Sequence, residues 1–191
     1  MRADAWSTAR RVRGVVLTVT SLLAVPMAIG SSPPAAAAVS GPVRIMALGD
    51  SLTQGVSYDG AYRAALATDL AASHREVDFV GSLQDGPPSM TDRDHEGHGG
   101  WRIDQIDAIV HDRLATYRPD IVLLTIGTND LIQDHDVPGA PQRLAGLVDD
   151  IEAAAPMVEV YVSSIPPIDN PAVQPLVDTY DAAVRALVPG R

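Results

Sequence analysis

The sequence has no cysteine. This excludes disulfides, thiol nucleophiles and Cys-ligated metal, and leaves packing alone to hold the fold. Basic residues are few: 14 Lys and Arg stand against 24 Asp and Glu, with no basic stripe. The electrostatic footprint of a nucleic-acid-binding protein is therefore missing. No internal repeat and no second domain can be traced. The 191 residues suffice for one domain with a sizeable core, and 46% hydrophobic content is not a disordered composition.

The N-terminus reads as a secretory signal over residues 1–38. Arg10, Arg11 and Arg13 form a basic start, and Val15 to Ile29 is apolar but interrupted by Pro26. Pro33-Pro34-Ala35-Ala36-Ala37-Ala38 supplies the small residues of a cleavage site. The alternative is an uncleaved anchor, but the apolar stretch is short of the roughly 20 residues a span requires. Arg10-Arg11 is a weak hint of a twin-arginine route. The expectation is export, with residues 39–191 as a secreted domain free of stable membrane association. Residues 1–38 hold four Arg and one Asp, so the remainder carries a formal charge of −13 against −10 for the whole chain.

Along residues 39–191, strand-like and helix-like patterns alternate. Val43 to Leu48, Val77 to Val80, Ile121 to Ile126 and Met157 to Ile165 read as strands. Ala61 to Ser73, Ile103 to Leu114, Arg143 to Ala154 and the stretch after Pro171 read as helices. Gln84 to Gly100, rich in Gly, Pro, Asp and His, reads as one long loop, and long loops in compact domains are usually functional. The alternation predicts a parallel sheet with helices on both faces. Three polar stretches lie at strand ends or could reach the same edge: Gly49-Asp50-Ser51-Leu52, Glu96-Gly97-His98-Gly99-Gly100-Trp101 and Gly127-Thr128-Asn129-Asp130. Ligands bind at the carboxyl edge of such sheets. A serine, glycine backbone N–H groups and an Asn amide there can carry out acyl transfer.

These stretches make the chain resemble the SGNH hydrolases, also called the GDSL esterase/lipase family. Gly49-Asp50-Ser51-Leu52 matches the nucleophile block, Gly100 the second-block glycine and Gly127-Thr128-Asn129-Asp130 the third block. The loop Asp94 to Ile103 looks most like the acetylxylan-esterase-type carbohydrate esterases. The resemblance implies a flavodoxin-like three-layer α/β/α sandwich. It implies Ser51 as nucleophile, with the N–H groups of Ser51 and Gly100 and the Asn129 side chain as oxyanion hole. The nucleophile-elbow pattern of the α/β-hydrolase fold is not present. Asp50 and Asp130 are expected to brace their turns. His98 and Trp101 are candidate substrate contacts, Trp101 being equally readable as a packing anchor. For Ser51 the plain alternative is a helix N-cap.

The family's last block, Asp-x-x-His, has no counterpart here. No His follows His135, and the sequence stops at Arg191. The expected architecture is therefore a C-terminally truncated sandwich without its fifth strand and last helix, and without the His and Asp that would activate Ser51. Asp92-Arg93-Asp94-His95 spells the motif in the wrong block, so His95 and His98 are read as polar loop residues in preference to a base. The His95-to-His98 spacing of three differs from the four of H-E-x-x-H, so no metal and no cofactor are expected. His74, His111 and His135 are read as surface residues. The sequence thus points to a secreted serine esterase cleaving carboxylic esters, acetyl above all, from small molecules or acylated carbohydrate through an acyl-enzyme. The alternatives are a catalytically inactive fragment or binding remnant, and a GDSL lipase or thioesterase.

Overall fold

The structure, a computed structural model, describes residues 41–56 and 58–187. The expected signal segment, residues 1–38, lies outside the described residues. Among the described residues, no helix is long and apolar enough to cross a membrane.

Strand β1 (Val43–Gly49) is the axis of the sheet. On one side it pairs in parallel with β5 (Ile121–Thr125), which in turn pairs in parallel with β6 (Glu159–Val162). On its other side two short strands follow one another: β2 (Val77–Phe79) along the first half and β4 (Asp94–Gly97) along the second, both parallel. Strand β3 (Leu83–Gln84) pairs antiparallel with β4 at the outer edge. β6 forms the opposite edge of the described sheet.

Both faces of the sheet are covered by helices, which explains the unbroken apolar runs of β1 and β5. Met46, Leu48, Val122 and Leu124 point to one face. They pack on Ile103, Ile106, Val110 and Leu114 of α3 (Ile103–Tyr117), on Leu144, Leu147 and Ile151 of α5 (Ala140–Ala154), and on Val177, Tyr180 and Val184 of α6 (Gln174–Leu187). Ile45 and Phe79 turn to the other face, with Ile121 and Leu123, and meet Ala64, Ala67 and Leu70 of α2 (Ala61–Ala72). The result is the expected three-layer α/β/α sandwich.

Two expectations need correction. Gln84 to Gly100 is not one loop, since residues 94–97 form a sheet strand. The sheet is also not wholly parallel, because β3 runs against β4. The strand was hidden because Asp94-His95-Glu96 carries no apolar alternation. His95 and Glu96 are fully buried nonetheless, and buried polar side chains are tolerated in a strand only when hydrogen-bonded.

A buried arginine ties the surrounding loops to this frame. Arg63 of α2 is fully buried. Its guanidinium donates to the carbonyls of Thr53 (2.7 Å), Gln54 (2.9 Å), Asp85 (2.8 Å) and Arg93 (3.3 Å). Burial pulls its pKa below the usual arginine value, while the four carbonyl acceptors work in the opposite sense and compensate the buried charge. Replacing Arg63 with Met orphans these carbonyls and is expected to cost about 3 kcal/mol. For a domain of this size that is a fall of roughly 6–12 °C in thermal midpoint, to be read by calorimetry.

Candidate active site

The sheet register builds the site. Gly49 lies opposite Gly97 on one side and opposite Thr125 on the other. Three strands therefore end level, and the three polar stretches follow directly from them. Gly49 itself has no room for a side chain: a Cβ there would overlap the Thr125 carbonyl and crowd the Thr53 hydroxyl.

After β1 the chain turns into α1 (Ser51–Gln54), a single helical turn. Asp50 caps it, its Oδ1 accepting the Leu52 N–H at 2.9 Å. The cap is thus Asp50, and Ser51 is the first helical residue, half-buried. Gly55 closes the turn in the left-handed conformation (φ 85°).

After β4, His98 to Trp101 make a tight turn. The Trp101 N–H donates to the His98 carbonyl at 3.1 Å. Gly100, at the third position, has φ +80°, the value a type II turn demands of a glycine. Its neighbours are all engaged. The His98 N–H donates to the Gly49 carbonyl (2.8 Å), and the Gly99 N–H donates to Gln54 Oε1 (2.9 Å). The Gly100 carbonyl accepts from Gln133 Nε2 (2.8 Å). Among the described residues, the Gly100 N–H has no intramolecular acceptor.

After β5, Gly127 (φ 116°) opens α4 (Thr128–Ile132). Tyr180 of α6 packs directly on Gly127, leaving no space for a Cβ, and donates its hydroxyl to the Ile126 carbonyl at 3.0 Å. Asn129 is buried, and its Nδ2 donates to the Trp101 carbonyl at 2.8 Å. An Asn amide carries two N–H bonds, so one remains for a ligand. Asp130 braces the turn as expected, accepting from the Ile103 N–H (3.0 Å) and from Arg143 Nη2 (2.9 Å).

Ser51, Gly100 and Asn129 thus converge on one edge. The Asn129–Trp101 bond couples the second and third stretches, and the Gly99–Gln54 bond couples the second to the first.

The two histidines of β4 and its turn have structural partners. His95 is fully buried. Its Nδ1 accepts the Gly97 N–H at 3.0 Å, and its Nε2 stands 3.5 Å from the Asp85 carboxylate. Burial, with the Arg63 charge nearby, lowers its pKa to about 4, so at neutral pH it is an uncharged packing residue. His98 Nε2 lies 2.7 Å from Glu96 Oε1, and its ring stacks on Trp101 with centroids 4.1 Å apart. His74 and His111 are exposed and His135 is half-exposed. Among the described residues, no group of three or more His, Asp or Glu side chains is placed to hold a metal ion. Sequence reasoning missed Arg63 and Glu96. For Arg63 no local signal exists. For Glu96, reading residues 94–98 as a strand would have put Glu96 and His98 on one face.

The order of the three stretches along the sheet edge is shared with a known family. The chain belongs to the GDSL-like lipase/acylhydrolase family, whose model matches residues 47–189. It is 30% identical over 179 residues to a multidomain esterase of Ruminococcus flavefaciens, covering 82% of this chain and 22% of that protein. It therefore spans about a fifth of that relative's length. Among solved structures it is similar to a family 3 carbohydrate esterase of Clostridium thermocellum. There the TM-score is 0.72 and the identity 35%, over 78% of this chain and 72% of the other. An acetyl esterase mutant with acetate ion follows, with TM-score 0.62 and 28% identity over 78% and 73% of the two chains.

Two outcomes are expected from this geometry. Gly100→Ala meets no atom within 4 Å of the new Cβ, so its effect is conformational: about 1–2 kcal/mol of left-handed strain, read as a lowered thermal midpoint. Asp50 behaves otherwise. Burial raises its pKa to about 6, against 3.8 for a free side chain, and its buried Oδ2 has no hydrogen-bond partner. The folded state thus holds this proton more tightly than the unfolded chain. The resulting stabilisation is full below about pH 3.8 and lost as pH rises through about 6. The shift corresponds to about 3 kcal/mol. Asn at this position keeps the cap and cannot ionise. Asp50→Asn should therefore gain stability over the wild type as pH rises from 4 to 7, a trend that paired thermal melts would show.

Proposed function

We propose that this chain is a secreted serine esterase that removes acetyl groups from acylated carbohydrate. The convergence of Ser51, the unengaged Gly100 N–H and the Asn129 amide at three level strand ends carries this reading. In it, Ser51 Oγ attacks the ester carbonyl carbon and gives its proton to a solvent water, which relays it to the departing sugar oxygen. The carbonyl electron pair moves to oxygen, where the N–H groups of Ser51 and Gly100 and the second Asn129 N–H receive it. Collapse expels the sugar oxygen, which takes up a proton. Water then cleaves the acyl-enzyme and releases acetate. Fixed donors aimed at the oxyanion are worth about 10²–10³-fold each.

The sugar side of the proposal draws on the carbohydrate esterase relative and on a cavity. A cavity of about 560 Å³ is lined by Gln54, Gly55, Val56, Asp59 and Asp85 among others. It begins one helical turn from Ser51, with the exposed Tyr58 ring beside it in sequence. The acetyl preference draws on the acetyl esterase likeness. Export draws on the basic start, apolar stretch and small residues of positions 1–38.

A second reading follows from the histidines. His95 is fully buried with both ring nitrogens engaged, Nδ1 by the Gly97 N–H and Nε2 by the Asp85 N–H. His98 is tied at Nε2 to Glu96 and stacked on Trp101, and among the described residues neither histidine is hydrogen-bonded to Ser51. A binding remnant that holds acylated carbohydrate without cleaving it fits the same residues.

Hydrolysis of acetylated xylo-oligosaccharides and of acetyl and octanoyl aryl esters, wild type against Ser51→Ala, separates these readings. The esterase reading expects a loss of at least 10³-fold on Ser51→Ala and a preference for acetyl. Equal rates leave the binding remnant, and an octanoyl preference leaves the lipase.

A further inference from the structure

The turn that presents the Gly100 N–H is closed by its own hydrogen bond and is braced from outside as well. Its two flanking aromatic rings, His98 and Trp101, stack face to face across it at 4.1 Å with an interplanar angle of 17°. The His98 ring is anchored in turn by the Glu96 carboxylate at 2.7 Å. Glu96 is fully buried on β4. Its remaining contacts are the Ser82 N–H (2.8 Å), the Ser82 hydroxyl (3.0 Å) and Arg113 Nε of α3 (2.8 Å). Burial alone would push its pKa up. The hydrogen bonds from His98 and Ser82 and the Arg113 charge outweigh burial and bring it below the ordinary value, so the column contains a true carboxylate.

A buried ion pair of this kind is a poor device for stability, since apolar residues of similar volume often do as well or better. It is a good device for direction. The column runs from Arg113 through Glu96 and His98 to Trp101, and the Trp101 carbonyl then accepts from Asn129 Nδ2 at 2.8 Å. One end of the column is fixed to sheet and helix. The other touches both groups expected to receive the oxyanion.

We infer that Glu96 is a positioning residue, which through the His98–Trp101 stack sets the aim of the Gly100 N–H and of the Asn129 amide. The inference rests on the esterase reading for its catalytic consequence, but the positioning itself is a property of the turn and can be read without turnover. Misplacing such donors by about 1 Å costs on the order of 10²-fold in rate.

The test uses the whole chain with Glu96→Gln, His98→Ala, His98→Phe, Asn129→Ala and the Glu96→Gln/Asn129→Ala double variant. On an acetyl ester, Glu96→Gln and His98→Ala should each lower kcat roughly 10–100-fold, with KM within about twofold. His98→Phe restores a ring for Trp101 to stack on and should recover part of the His98→Ala loss. The double variant should lose little more than the worse of its two single changes, because both act on the same oxyanion. Losses that multiply, or that merely track the unfolded fraction in a thermal melt, would overturn the inference. The second readout is the backbone amide resonance of Gly100 in ¹H–¹⁵N spectra. It should shift in Glu96→Gln and His98→Ala while core resonances such as Val122 and Leu124 stay in place. An unmoved Gly100 resonance overturns the inference too. A wild type that hydrolyses nothing refutes the esterase reading, and the Gly100 resonance still decides the positioning.

Discussion

The level ending of β1, β4 and β5 is the constraint on which the site depends. Gly49 pairs with Gly97 and Thr125 at once, and a side chain at 49 would break that contact. Because hydrogen-bonded strands lie about 4.8 Å apart, the three level ends span about 10 Å, and the turns that leave them are neighbours. The turns need then only point inward. Asp50 and Gly127 handle the first and third turns locally, one by capping and one by a left-handed start. The middle turn has a left-handed Gly100 of its own and outside contacts besides, from Gln54, Gln133 and, through His98, Glu96.

Burial at this edge is unusually polar. Asp50, Thr53, His95, Glu96, Asn129 and Asp130 are all at most 9% exposed. Asp50 Oδ2, Thr53 Oγ1, Tyr62 Oη and Thr128 Oγ1 lie buried without a hydrogen-bond partner among the described residues. Asp50 lies beside Thr128, and Tyr62 beside Thr53 and Thr125, close enough for weak polar interaction, so each costs less than the ~1–3 kcal/mol of an isolated orphan. The apolar layers on both sheet faces offset that cost, and the strands that bear the motifs also bear the core. A functional edge that is expensive in stability is the common pattern in enzymes.

Much of this was legible in the sequence. The apolar runs of β1 and β5, the helical spacing of Ile103, Ile106, Val110 and Leu114, and the three polar stretches gave the layers and the edge. The polar strand β4 escaped because its burial is sustained by ion pairs and not by apolar alternation. Arg63 escaped for a related reason: its partners are backbone carbonyls 9 to 30 residues away, which leave no trace in side-chain pattern. The role of His95 followed the same logic. His95 reads as a loop histidine only because β4 reads as loop; in the fold it is a core strand residue. His98 does lie in the turn after β4, where it links Glu96 and Trp101.

The grip of Arg63 has a consequence for how the cleft rim can vary. It holds the Asp85 and Arg93 carbonyls together, and Asp92 fastens the returning chain through the Phe79 N–H. Between these clamps, Pro88 and Ser89 are exposed. The segment is fixed at both ends and pinned between them by Met90, buried against Ile45 and Phe79. Exchange is therefore confined to the exposed Pro88-Ser89 pair, which can change the outer surface while the core anchor and the clamps keep their places.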